Sequence, residues 1–167
     1  MKLGKVYVTR RIPDAGLNLI LERTDARVNP HDRVLTRREL LREVRGVDGL
    51  VPLLTDPIDV AVMDAAGPQL KVIANYAVGF NNIDVAAATA RKIPVTNTPG
   101  VLTETTADLA WALLMAVARR IVESDRFTRA GKFKGWGPMM FLGHDVHGKT
   151  LGVVGFDDVP EKPEGEP

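Results

Sequence analysis

The chain has 167 residues, 45% hydrophobic and 26% charged, with 22 basic and 21 acidic side chains and a net charge of +1. That is the composition of an ordinary globular protein long enough for a real core, and its balanced charge offers neither a nucleic acid nor a membrane surface a positive field. There is no cysteine, which removes thiol catalysis, disulfides and zinc–thiolate centres.

The opening "MKLGKVYVTRRIPDAG" has too short an apolar run for a secretory signal and turns at once to charge. A cytoplasmic protein is the expectation, and the longest apolar run, residues 109–118, is far too short to cross a membrane. From residue 5 to about residue 100, short β-rich runs alternate with helical patterns. "KVYVTR" (5–10), "ARVN" (26–29), "DGLVPLL" (48–54), "LKVIANYA" (70–77) and "IPVTNT" (93–98) read as strands. Between them, residues 13–23, 36–44, 59–66 and 83–92 place apolar side chains at helical spacing. Such alternation specifies an α/β fold with a parallel sheet, for which flavodoxin-like order is expected.

A different segment opens at "TPGVLTETTAD". Pro99 and Gly100 end the fifth strand, and Thr103 or Thr105 is placed to cap a helix. The run 107–127, "ADLAWALLMAVARRIVESDRF", is apolar nearly all round in its first half. A helix of that kind needs cover on both sides, so pairing with a second subunit is expected through residues 103–127. Residues 131–150 read as an irregular Gly-rich connection, residues 150–156 as a buried parallel strand, and the Pro- and Glu-rich residues 157–167 as a disordered tail.

Two stretches have the makings of a ligand site. In "ANYAVGFNNID" (74–84), Gly79 permits an unusual turn and Asn81 or Asn82 can cap a helix beginning near Ile83. The backbone N–H groups of such a turn suit a carboxylate, although a turn that merely reverses the chain fits the same spacing. In "VPLLTDP" (51–57), Leu53, Leu54 and Thr55 can wall a small pocket on the same rim of the sheet, or the stretch is a loop leading to a helix with Asp56-Pro57 as its first residues. His31, His144 and His147 lie in polar or irregular segments and read as solvated loop histidines, and "HDVH" supplies too few ligands for a metal. Trp136 in "KGWGP" either fills a core gap or reaches a partner. After the strand at 150–156, a dinucleotide turn needs G-x-G-x-x-G; Gly155 supplies the first glycine, but Asp157 and Pro160 occupy the other two positions. A carboxylate at about 4 Å from a phosphate charge costs roughly 4 kcal/mol at an intermediate dielectric.

The stretch "LKVIANYAVGFNNIDVAAATARKIPVTNTPGVLTETTADLAWALLMAVARR" closely resembles the D-isomer-specific 2-hydroxyacid dehydrogenases, in particular their glyoxylate and hydroxypyruvate reductase branch, and "FLGHDVHGKTLGVVGF" is similar to the segment that leads into their nucleotide-binding domain. The resemblance covers residues 1–156. It implies an oxidoreductase that reduces small 2-oxo acids with NAD(P)H as a homodimer, with residues 1–100 as substrate domain, 101–149 as dimerisation arm and 150–156 as the first strand of an incomplete Rossmann domain. By the resemblance, Val78 and Gly79 N–H groups hold the substrate carboxylate, Leu53 and Leu54 line the pocket, Thr106 and Gly155 lie against the cofactor, and Trp136 enters the partner's site. The family's catalytic Arg, Glu and His fall beyond the first Rossmann strand and have no counterpart here. The isolated chain is therefore expected not to catalyse the reaction or to hold NAD or NADP. The alternative is a non-catalytic module that dimerises or binds a small acid.

Overall fold

The computed structural model describes residues 2–154. Two compact units divide at Pro99/Gly100. The first contains five strands, β1 (Lys5–Val8), β2 (Asp25–Val28), β3 (Gly49–Val51), β4 (Val72–Ala74) and β5 (Val95–Thr96), with helices α1 (Asp14–Arg23), α2 (Arg37–Glu43), α3 (Val60–Ala66) and α4 (Val85–Ala90) between them. All pairings are parallel and the order is β2-β1-β3-β4-β5, the flavodoxin-like arrangement expected from the alternation.

Alternation along each strand sorts the core onto two faces. Tyr7, Leu50 and Ile73 face α2, α3 and α4 and join Leu40, Val44, Val62, Met63 and Ala88 in the larger cluster. Val8 faces the other way, toward Ile12 and Leu17 of the α1 side. That second face is thinner: Val6, Val28 and Val51 are only partly buried there. The reversal of chain direction across the sheet after β2 puts α1 on one face and the later helices on the other, as right-handed crossovers require.

Local signals set the helix starts. Thr36 and Glu39 form a reciprocal capping box at α2, and Arg33 grips the same Glu39 carboxylate at 2.7 Å. Both contacts hold the Glu39 carboxyl well below its usual range. Asp59 caps α3 and Asp84 caps α4. The expected caps at Asp56-Pro57 and at Asn81 or Asn82 are thus displaced by the next aspartate in the chain, and the asparagine and Asp56 are released for other work.

The second unit holds α5 (Thr103–Ala118) and α6 (Ile121–Arg129). A single helix through 127 was expected, and the structure breaks it. Arg120 takes left-handed backbone geometry at φ 55°, and the Ala118 carbonyl that would continue the helix accepts the His144 N–H at 2.8 Å instead. Residue 143 must be glycine for that approach, because a β-carbon there would overlap the Ala118 oxygen. Phe141 closes the joint, edge-on to Phe127 at 5.1 Å and beneath the Arg120 guanidinium at 5.4 Å. No side chain caps the start of α5; Leu102 occupies the cap position, and Thr103 lies inside the helix.

No residue of α5 is buried: Leu109, Trp111, Leu113 and Met115 are all exposed. Residues 151–154 have no strand pairing among the described residues, since a segment becomes a strand only with a neighbour to bond. Gly155, Phe156 and the tail expected at 157–167 lie outside the described residues. Among the described residues, no helix is long and apolar enough to cross a membrane.

Candidate functional site

Four polar side chains are buried in the described protein, Thr9, Asn29, Asp56 and Asn75, and all four sit just past the carboxyl ends of strands. A buried polar group costs free energy unless it is paired, so their partners reveal what the rim is built to hold. Asp56 accepts the Thr9 hydroxyl at 2.6 Å and the Leu53 N–H at 2.9 Å, tying the loop after β3 to the end of β1. Asn29 donates to the Thr9 carbonyl at 2.9 Å and accepts the His31 N–H at 3.0 Å.

Asn75 and Asn82 form an amide pair, donating to each other at 3.1 and 3.2 Å. Asn82 also donates to the Leu53 and Asp56 carbonyls, both at 3.1 Å, and Asn75 donates to the Gly79 carbonyl at 2.9 Å. The loop after β3 and the turn after β4 are therefore one bonded unit, reinforced by the Tyr76 N–H on the Pro52 carbonyl at 2.8 Å and a parallel bridge between Leu53 and Tyr76.

The turn itself is one-sided. Its Ala77 carbonyl accepts the Thr98 N–H at 2.9 Å, Val78 the Asn97 side chain at 2.7 Å, Gly79 that of Asn75, and Phe80 the Ile83 N–H at 3.0 Å. Among the described residues, the N–H groups of Val78, Gly79 and Phe80 donate to no protein acceptor. Three consecutive N–H groups without a protein acceptor, on exposed residues, are donors of the kind that suit a small anion. This capacity belongs to the turn rather than to a helix dipole, because α4 starts only at Val85 and its own first N–H groups are served by Asp84.

The structure thus brings Leu53, Val78 and Gly79 to one rim, with Leu53 half-buried and Leu54, 63% exposed, pointing to solvent beside them. Thr106, on the first turn of α5, and Trp136, 83% exposed, belong to the second unit. Gly155 lies outside the described residues. His31, His144 and His147 are exposed, and no metal-ligating cluster occurs among the described residues. A cleft of about 430 Å³ lies at the opposite rim, lined in part by the Arg91–Asp64 ion pair at 2.8 Å, away from the turn N–H groups.

Sequence reading missed the network that supports the rim. Asn75 in the apolar run "KVIANYA" was the available signal: an asparagine at a buried strand end must be paired, and the glycine turn four residues on offers the partner.

Residues 6–140 match the model of the D-isomer specific 2-hydroxyacid dehydrogenase catalytic domain. The chain belongs to this family. A glyoxylate reductase of Thermococcus gammatolerans is 53% identical over 156 residues, covering 91% of this chain and 46% of its own. Among solved structures, a D-isomer specific 2-hydroxyacid dehydrogenase from Polaromonas superposes with a TM-score of 0.81 at 36% identity, covering 87% of this chain and 46% of that one. An NADPH-dependent glyoxylate/hydroxypyruvate reductase from Sinorhizobium meliloti, solved with NADP and malonate, gives a TM-score of 0.66 at 30% identity and covers 87% and 44%. The chain spans about half the length of the dehydrogenases it matches.

Removing the Asp56 carboxylate strands the Leu53 N–H and leaves the Thr9 hydroxyl only the Val51 carbonyl, at 3.3 Å. Asp56→Ala is expected to cost about 2–3 kcal/mol, read as a lowered urea midpoint with an unchanged slope; a midpoint equal to that of the parent would show that the network carries no load.

Proposed function

We propose that this chain is the substrate-binding part of a reductase of small 2-oxo acids of the glyoxylate type. The observation that carries the reading is the turn at Val78–Phe80, whose carbonyls are all bonded inward and whose N–H groups are free. A carboxylate oxygen accepts two such N–H groups in charge-assisted bonds, about twice as strong as neutral ones. Leu53 and Leu54 beside it suit the short carbon skeleton of a two- or three-carbon acid and would exclude water from one side of the reacting carbonyl. The malonate held by the Sinorhizobium relative is itself a small carboxylate.

NAD or NADP is the hydride source implied by the family, and the residues present do not fit it. Residues 151–154 form no strand to carry a dinucleotide turn, and Asp157 and Pro160 stand where that turn needs glycines. The work of this chain is to bind and orient the acid by its carboxylate. Thr106 and Trp136, exposed in the second unit, are free to serve a cofactor and a second subunit's site. Pairing of two copies through α5 is part of the same reading, supported by a 16-residue helix that is apolar on most of its surface and has no buried residue.

Calorimetry with glyoxylate and with glycolaldehyde, the same skeleton without the carboxylate, tests the binding claim. Heat of binding is expected for glyoxylate only, with no NADH oxidation by the 167-residue chain. Equal responses to the two compounds would remove the carboxylate site, and turnover at a rate ordinary for such enzymes, on the order of 10 per second, would contradict the division of labour.

Light scattering bears on the pairing. The expected mass is twice 18.2 kDa, reduced to the single-chain value by Leu113→Glu in the exposed face of α5. A single-chain mass at every concentration would argue for a different cover on that helix.

A further inference from the structure

Beyond the contacts a substrate would make, the rim contains a device that decides which way the turn faces. A carbonyl oxygen and the next residue's N–H belong to one rigid peptide plane and point in opposite directions. Whatever holds the carbonyl therefore aims the N–H. The Ala77–Val78 plane is held by the Thr98 N–H at 2.9 Å and the Gly79–Phe80 plane by Asn75 at 2.9 Å. Between them, the Val78–Gly79 plane rests on one contact, the Asn97 side-chain nitrogen at 2.7 Å from the Val78 oxygen. A carbonyl only accepts, so the asparagine must present its NH₂ group there, and its orientation is fixed by chemistry.

This middle plane is also the easiest of the three to invert. Rotating it through half a turn changes ψ of Val78 and φ of Gly79, and glycine alone admits φ of either sign without penalty. Gly79 has no positive φ in the structure, and a β-carbon there would meet nothing closer than Asn81 Oδ1 at 3.6 Å. Space does not demand glycine here, and glycine's freedom makes inversion cheap. An inverted plane would turn the Val78 carbonyl oxygen outward, replacing a donor with a partial negative charge at the anion site.

We propose that Asn97 is a positioning residue that keeps the Val78–Gly79 peptide in its anion-binding orientation, with the Asn75–Asn82 pair holding the turn from behind. This inference rests on reading the turn as the carboxylate site. Asn97 follows β5, is half-buried, and contributes nothing to either hydrophobic cluster, so its loss is separable from loss of the fold.

The test is amide NMR of the 167-residue chain titrated with glyoxylate. In the parent protein, the Val78, Gly79 and Phe80 amides are expected to move, while core amides such as Leu50 and Ile73 stay still. Asn97→Ala is expected to weaken the response roughly fivefold to tenfold, the equivalent of one net hydrogen bond, with the core spectrum and the thermal midpoint preserved. Adding Gly79→Ala to that variant should recover part of the affinity, because alanine resists the positive φ of the inverted plane. A merely structural role for Asn97 gives no such recovery. Parent-like binding by Asn97→Ala, or weakening with no recovery, would overturn the positioning role and leave the carboxylate site standing. No response from the parent protein would overturn both.

Discussion

Asn75 and Asn82 lie amide to amide beneath the rim of the sheet, and most of what the rim can do depends on that pair. Each amide has one acceptor and two donors to satisfy, and Asn75 has only 2% of its surface exposed. One N–H is left over on each amide: that of Asn75 goes to the Gly79 carbonyl and that of Asn82 is shared between the Leu53 and Asp56 carbonyls, so satisfying the pair fixes two loops at once. Leaving any one of these groups unpaired costs about 1–3 kcal/mol, a sizeable share of the stability of a small domain. The loops are therefore held at the same energetic cost as breaking part of the core.

That arrangement follows from a parallel sheet. Every strand of the first unit ends on the same rim, so the loops after β1, β3, β4 and β5 converge without any long excursion of the chain. Thr9, Asp56, Asn75 and Asn97 come one from each of these strand ends. The sheet supplies rigid anchor points and the polar side chains translate them into loop geometry. The result is a run of carbonyls bonded within the protein and N–H groups with no protein acceptor, donors on which the proposed carboxylate site rests without any charged side chain.

The elements of the first unit were legible because each rests on local signals. Strand runs rich in valine and isoleucine, helical spacing between them, and turn residues at the joints all point to one α/β order, and the five strands and four helices formed where expected. The caps were less legible. Asp56 and Asp59, three apart, are both good cap residues, as are Asn82 and Asp84, two apart, and only tertiary bonds decide which one is left at the helix. The break at Arg120 was invisible for the same reason: "AVARRIVES" is a sound helical sequence, and the interruption is imposed by the loop at Gly143–His144 taking the Ala118 carbonyl. The turn at Gly79 was legible as a candidate, but its one-sidedness was not, because that depends on Asn97 and Thr98 arriving from a strand about 20 residues further on.

Whether the turn presents preset donors to a carboxylate is decided by a crystal structure of the chain with oxamate. One carboxylate is expected within hydrogen-bond distance, about 2.7–3.2 Å, of the Val78 and Gly79 nitrogens, with the Asn97 contact to the Val78 carbonyl intact and the turn unmoved. Oxamate bound elsewhere on the chain, or a turn whose Val78 carbonyl faces the ligand, would contradict it.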